Sequence, residues 1–269
     1  MPELPEVETI KNGLLTKIKN KTILQVNIYN FNLRWPIATD LPNKIRQQNI
    51  IDIMRRGKYL IFKFISGQLI VHLGMSGVLT LAPTNTRIEK HDHVEIIFTD
   101  NIVLRYNDQR RFGCMFWSEN YKQHDLIKNL GPEPFSCEFN ADYFFQKAQK
   151  RKNSIKSLIM DSKFVVGVGN IYAAEALFLA KINPVVVANK LTCIDCARLV
   201  LAIKNVLATA IKFGGTSIKD YRATDGKEGY FQERLLVYGR NNKPCKICNT
   251  TISSLRLSGR NTFYCAKCQ

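Results

Sequence analysis

The chain has 269 residues, which is long enough to bury a sizeable core and to form more than one domain. Its composition, 45% hydrophobic and 23% charged, is that of an ordinary globular protein, and no stretch is apolar enough to span a membrane. Lys and Arg total 39 against 22 Asp and Glu, so the formal net charge of +17 favours a polyanionic partner, either nucleic acid or an anionic membrane. A basic surface that merely reflects a Lys- and Asn-rich composition would show the same excess.

The first segment predicts a helix over residues 5–18, with Val7, Ile10 and Leu14 at helical spacing. Pro2 lies just before it and has a side chain small enough for removal of the initiator methionine. The exposed secondary amine would be partly unprotonated at neutral pH and would condense with an aldehyde to a cationic iminium, an electron sink for elimination chemistry. On the residues alone, the simpler interpretation is that Pro2 and Glu3 only lead into the helix. The N-terminus has no apolar signal core, so we expect a cytoplasmic protein.

Residues 22–118 predict an antiparallel sheet system, with hairpins over residues 59–73 and 94–106. Lys58 follows a glycine and opens a strand, so its ammonium could reach a phosphate or stay solvated. Met75 lies in a glycine-flanked loop, where a thioether could fill the core or a void in a base stack. Arg110 and Phe112 share one side of a strand-like segment, and Phe112 is interpreted more simply as a core residue than as a wedge between bases.

Gly131–Pro134 is the strongest boundary signal, and beyond it the periodicity becomes helical. Helices are predicted over residues 141–150, 155–162, 171–181 and 192–213. The segment 167–172 lacks the third glycine of a dinucleotide site, but a glycine turn that opens a helix offers amides to a phosphate. Asn170 there either caps the helix or binds phosphate. Cys193 and Cys196 are interpreted as ordinary helix positions.

The last segment carries two Cys-x-x-Cys pairs 16 residues apart, a spacing typical of a four-cysteine zinc ribbon. The four ligands would be Cys245, Cys248, Cys265 and Cys268. Because sulfur would fill every coordination position, the predicted Zn²⁺ is structural. Ser258-Gly259 predicts the tip of a hairpin that presents Arg260, either to a phosphate or to solvent.

Several motifs occur in one order along the chain: MPELPEVET, residues 55–60, 72–77, 90–93, 110–113 and 167–172, and the cysteine ribbon. Together they resemble bacterial formamidopyrimidine-DNA glycosylases across essentially the whole chain. Leu4 stands where the related endonuclease VIII type has Gly, which favours oxidised purines over oxidised pyrimidines. The resemblance implies an α+β multidomain fold: an N-terminal β-sandwich with an N-terminal helix (1–131), a helix–two-turn–helix domain (132–230) and a zinc ribbon (235–269), with DNA in the cleft between them.

The resemblance also implies residue roles. Pro2 attacks the deoxyribose C1′, Glu3 helps to open the sugar, Lys58 donates a proton in β-elimination and Arg260 in δ-elimination. The residues expected to contact DNA are His91, Arg110, Arg151, Met75, Phe112 and Asn170.

The implied partner is double-stranded DNA with oxidised purines, bound by a monomer with no membrane partner, and the loop 216–229 is expected to close over the everted base. Gln109 and Arg151 depart from the residues common in relatives without threatening the chemistry. Two alternatives stay open: a non-enzymatic zinc-ribbon damage sensor, and pyrimidine specificity within the same superfamily.

Overall fold

The computed structural model describes residues 2–216 and 230–269, and the chain folds as two units. The first comprises residues 1–128 and 214–230, and the second comprises residues 129–213 and 231–269. The predicted helical segment and the cysteine-rich end therefore belong to one unit. The three domain boundaries expected from the sequence stay a prediction.

The first unit is a sandwich of two four-stranded antiparallel sheets preceded by a helix. One sheet has the strand order β1-β6-β7-β5 and the other the order β2-β3-β4-β8. The elements are α1 (Leu4–Ile18), β1 (Ile23–Ile28), α2 (Leu41–Ile45), β2 (Asp52–Arg56), β3 (Tyr59–Lys63), β4 (Gln68–His72), β5 (Val78–Pro83), β6 (Asp92–Phe98), β7 (Ile102–Asn107), β8 (Cys114–Ser118) and α3 (Asp125–Lys128).

Residues at alternate positions of the strands, such as Val94, Ile96 and Phe98 in β6, form the core of the sandwich. Inward-facing side chains of both sheets join one core with the apolar face of α1, where Val7, Ile10 and Leu14 are fully buried. Both predicted hairpins are confirmed, since β3 pairs with β4 (Leu60 opposite Val71) and β6 pairs with β7. The predicted N-terminal β-sandwich with its helix is therefore present.

The second unit contains four helices and a hairpin. These are α4 (Ala141–Ala148), α5 (Ile155–Ile159), α6 (Asn170–Leu179), α7 (Cys193–Lys212), β9 (Ser253–Leu257) and β10 (Arg260–Tyr264). All four predicted helices exist, although α5 ends three residues earlier than expected. A capping box between Thr192 and Asp195 starts α7, so Cys193 and Cys196 occupy ordinary positions in its first turns, as predicted.

Candidate active site and metal centre

The start of α1 brings two expected catalytic residues into a buried position. Pro2 is buried, and Glu3 is the N-cap residue with only 2% of its surface exposed. The Glu3 carboxylate accepts the backbone N–H of Glu6, and the Glu6 carboxylate accepts the N–H of Glu3 at 2.8 Å. This reciprocal capping box holds the backbone next to Pro2 in one conformation.

Glu6 has a second role, which the sequence did not indicate. Its other oxygen accepts from the backbone N and the Oγ1 of Thr216, at 2.8 and 3.1 Å. Gly215 passes so close that an added Cβ would lie 2.7 Å from the Glu6 carboxylate. Glu6 therefore ties the start of α1 to Thr216, where the expected lesion-binding loop begins. The rest of that loop lies outside the described residues, as does Met1.

Lys58 lies in the two-residue turn between β2 and β3 and is half-buried. The strand begins at Tyr59, as the predicted hairpin requires, and Gly57 adopts a left-handed conformation (φ 57°) that closes the turn. Arg55 donates to the carboxylate of Glu8 at 2.6 Å and to the carbonyl of Gly57 at 2.9 Å. These bonds place the Lys58 turn beside the first turns of α1, which directly follow Pro2 and Glu3.

His72, at the end of β4, adds a buried neutral group to this region. Burial, together with the charges of Lys58 and Arg34, lowers the pKa of His72 to about 4. Its Nδ1 accepts the backbone N–H of Gly74 at 3.0 Å, a bond that requires an unprotonated nitrogen. The neutral imidazole therefore holds the entry to the loop that carries Met75.

Met75 and Phe112 are both exposed, by 38% and 43%. The interpretation of either residue as core filler is therefore wrong. The strand-like assignment for residues 110–112 is also wrong: they form a loop between β7 and β8, because Arg111 takes a left-handed conformation (φ 54°) that no strand accommodates. The Arg110 guanidinium still stacks over the Phe112 ring, 4.6 Å from its centroid.

His91 is half-buried at the end of the loop that precedes β6. The buried guanidinium of Arg105 donates to the carbonyls of Thr86 and Arg87, at 2.5 and 2.8 Å, and to Glu95 at 2.7 Å. The body of the sandwich thus anchors the loop that presents His91.

In the second unit, Asn170 is the first residue of α6, and Gly169 is its N-cap. The interpretation of Asn170 as a capping residue is therefore wrong, because its side chain is engaged elsewhere. Its Oδ1 accepts from the Nζ of Lys156 at 2.6 Å, and its Nδ2 donates to the carbonyl of Asn261 at 3.0 Å. The 2% exposed Lys156, which sequence reasoning missed, also donates to Oγ1 of Thr262 at 2.7 Å.

Arg260 is exposed at the first position of β10, directly after the turn at Ser258-Gly259, as the hairpin prediction requires. A pocket of about 180 Å³ lies between this hairpin and the α5 region, and its lining is polar apart from two residues: Lys156, Ser157, Asp161, Ser258 and Arg260, with Met160 and Leu257. Arg151 is exposed after the end of α4. The second unit thus exposes both of these arginines, Arg151 after α4 and Arg260 on the hairpin.

The four cysteines of the ribbon converge on one point. Their Sγ atoms all lie within 4.8 Å of one another, with Cys245 and Cys268 at 4.0 Å and Cys248 and Cys265 at 3.5 Å. A tetrahedral Zn²⁺ with four thiolates needs sulfur atoms about 3.8 Å apart. The residues therefore fit one structural zinc ion, as predicted.

Sequence profiles of one family match most of the chain. The profile of the formamidopyrimidine-DNA glycosylase N-terminal domain matches residues 1–115, that of its H2TH domain residues 130–222, and that of a zinc finger found in FPG and IleRS residues 242–269. The chain belongs to the formamidopyrimidine-DNA glycosylase family. The predicted fold class, with its helix–two-turn–helix region and zinc ribbon, is confirmed.

Individual members of the formamidopyrimidine-DNA glycosylase family resemble the chain over its whole length. The formamidopyrimidine-DNA glycosylase of Haemophilus influenzae (strain PittEE) is 47% identical over 269 residues, covering 100% of this chain and 99% of the relative. A Lactococcus lactis Fpg variant, solved with Fapy-dG-containing DNA, superposes with a TM-score of 0.93 at 36% identity, covering 100% and 99% of the two chains. The structure of MutM in complex with carbocyclic 8-oxo-G containing DNA superposes with a TM-score of 0.90 at 35% identity, and the match covers 100% of this chain and 99% of that one. Among the described residues, no helix combines the length and apolar character that a membrane crossing needs.

Proposed function

We propose that the protein is a bifunctional DNA glycosylase and abasic-site lyase that removes oxidised purines from duplex DNA and acts in the cytoplasm. The observation that carries this proposal is the cluster at the start of α1: Pro2 and Glu3 are buried there, and the Glu8–Arg55–Gly57 bonds hold Lys58 close by. Two relatives that cover the whole chain were solved with DNA containing Fapy-dG or 8-oxo-G, which supports the substrate class.

The chemistry follows from the amine of Pro2, which becomes available once Met1 is removed. Its lone pair forms a bond to C1′ of the damaged nucleotide while the bond from C1′ to the base breaks, and the base leaves with a proton. Glu3, next to the amine, donates the proton that O4′ takes up as the C1′–O4′ bond breaks and the sugar ring opens. The product is a cationic iminium between Pro2 and C1′.

The iminium then serves as an electron sink for strand cleavage. Loss of a C2′ proton drives elimination of the 3′ phosphate, and a second elimination releases the 5′ phosphate. We assign Lys58 and Arg260 as proton donors in the β- and δ-elimination respectively. Both side chains carry the charge that stabilises a departing phosphate.

Reaching C1′ requires extrusion of the damaged nucleotide from the stack. The exposed Met75 and the stacked Arg110–Phe112 pair are the groups assigned to this task. An unbranched thioether fills the void left by the base, and an aromatic wedge holds neighbouring bases apart. His91, Arg151 and Asn170 are assigned to the DNA backbone.

Borohydride trapping tests the nucleophile directly. With a duplex containing 8-oxoguanine, the protein with a verified free Pro2 terminus should form a covalent complex, because only an iminium is reduced to a stable bond. A preparation that retains Met1 should bind the same duplex with similar affinity but should not be trapped.

Three other outcomes would revise the proposal. An adduct mapped to Lys58 would mean that Pro2 is not the nucleophile. Trapping on a duplex with an oxidised pyrimidine, but not on 8-oxoguanine, would overturn the substrate class. Tight binding to the lesion with no adduct from an unblocked terminus would establish a damage sensor instead of an enzyme.

A further inference from the structure

A buried carboxylate, Asp108, lies at the meeting point of the loops assigned to DNA. It has no exposed surface, and its side chain accepts three hydrogen bonds. Oδ1 accepts from Oγ of Ser76 at 2.6 Å, while Oδ2 accepts from the phenol of Tyr106 at 2.9 Å and from the backbone N–H of Gly113 at 2.8 Å. Burial and then the charge of Asp108 raise the pKa of Tyr106, so its phenol stays a donor.

The backbone of Asp108 extends the same network to a further loop. Its N–H donates to the carbonyl of His91 at 3.1 Å. Its carbonyl accepts from the backbone N–H of Arg111 at 3.1 Å and from Nε2 of the buried His93 at 2.8 Å. One residue thus contacts the segments that carry His91, Arg110 and Phe112.

Ser76 links the Met75 loop into this network. Its hydroxyl donates to Asp108 and at the same time accepts the backbone N–H of Arg110 at 3.0 Å. The two loops are also in backbone contact, because a Cβ added at Gly74 (φ 62°) would lie 2.4 Å from the carbonyl carbon of Phe112. A Cβ at Gly113 would lie 1.8 Å from the Tyr106 hydroxyl, so only glycine leaves room for the bonds to Asp108.

We propose that Asp108 and Ser76 are positioning residues for base extrusion, which hold Met75, His91 and the Arg110–Phe112 loop as one rigid unit. This inference rests on the proposed function, which assigns those exposed side chains to the DNA. Residues 74–77 and 108–113 are loops, which would otherwise lose conformational freedom each time they engage a base stack. The buried hydrogen bonds fix both loops when the protein folds. The entropic cost of ordering the loops is therefore absent from the extrusion step.

A role in folding alone would make a different prediction. A merely destabilised sandwich would lose activity on every substrate in proportion to the unfolded fraction. A misplaced wedge would impair removal of a stacked base far more than cleavage at a preformed abasic site, where no base has to be unstacked. The ratio of the two rates therefore separates positioning from stability.

The test measures two positioning variants, Ser76→Ala and Asp108→Asn. Met75→Ala is the benchmark for loss of the wedge, and Ile96→Val, in the core beneath the β1-β6-β7-β5 sheet, is the control for loss of stability. Single-turnover rates are measured on one duplex with 8-oxoguanine and on the same duplex with a preformed abasic site. We expect both positioning variants to slow base release by about tenfold or more, because each weakens a hydrogen bond that involves a charged group. Cleavage at the abasic site should slow by less than about threefold. Ile96→Val should leave the ratio of the rates unchanged.

Equal losses on both substrates, or a ratio like that of Ile96→Val, would overturn the proposal while the proposed function stands. If Met75→Ala itself fails to separate the two substrates, the wedge assignment fails and the proposal fails with it. No base release by the unaltered protein would instead be a failure of the proposed function. Should Asp108→Asn not fold, Ser76→Ala decides alone, since it removes one hydroxyl and leaves the carboxylate with two donors.

Discussion

At the scale of single residues, Glu3 combines a structural and a proposed chemical role. Its carboxylate caps α1 by accepting a backbone N–H, a bond that an amide oxygen can also accept. Glu3→Gln should therefore preserve the helix start and remove only the acid. We expect base release to fall by roughly 100-fold or more, the usual contribution of a general acid, while cleavage at a preformed abasic site is spared, because that sugar already presents an aldehyde.

The measurement for Glu3→Gln is the single-turnover rate on both substrates, with thermal unfolding as the check on the helix cap. A similar loss on both substrates would show that Glu3 serves DNA binding or folding rather than acid catalysis.

At the scale of elements, the junction of β4 with the Met75 loop should respond to pH through His72. The folded state keeps the pKa of His72 near 4, while the unfolded chain takes up the proton near the usual 6.5. The unfolded state therefore binds more protons between these values. The contribution of the neutral His72 to the free energy of unfolding is therefore complete above pH 6.5. It is lost as the pH falls from 6.5 towards 4, by roughly 3 kcal/mol in total.

Urea unfolding of the protein and of His72→Gln, at pH 7 and pH 4.5, measures this contribution. Glutamine can still accept the Gly74 N–H but does not titrate, so the variant should lose less stability on acidification. Both tryptophans of the chain, Trp35 and Trp117, lie in the first unit, so their fluorescence reports that unit. If the two proteins lose the same stability between pH 7 and pH 4.5, protonation of His72 is not the cause of the loss.

At the scale of the whole molecule, the two units should differ in their dependence on zinc. All four cysteine ligands belong to the second unit. Cys248→Ser should abolish stoichiometric zinc, disorder the β9–β10 hairpin and weaken DNA binding, because metal binding contributes free energy to the folding of such small sites. The tryptophan-detected unfolding midpoint of the first unit should stay close to that of the unaltered protein.

Metal analysis, DNA titration and urea unfolding check the three parts of the zinc prediction. A native protein purified without zinc would contradict it outright. Joint loss of tryptophan-detected structure in Cys248→Ser would show that the zinc site supports the first unit as well.

Local patterns were sufficient for most of the fold. The helical spacing of Val7, Ile10 and Leu14 predicted α1, and the two Cys-x-x-Cys pairs predicted the metal centre, because both signals come from residues that are close along the chain. The strand-like assignment of Arg110–Phe112 was wrong because Arg111 is left-handed and the backbone N–H of Arg110 bonds to the hydroxyl of Ser76, which is 34 residues away along the chain. The assigned roles of Pro2, Glu3, Lys58 and Arg260 stay predictions.

The sequence by itself determined the sandwich, the helical region, the zinc ligands and the family, since these follow from periodicity, spacing and motifs. Only the tertiary structure decided which polar residues act together. Asp108 lies 32 residues from Ser76, Glu6 lies 210 residues from Thr216, and Lys156 lies 106 residues from Thr262. A buried polar group must find a hydrogen-bond partner, but nothing local specifies which one, because folding selects it from the groups that close packing brings together.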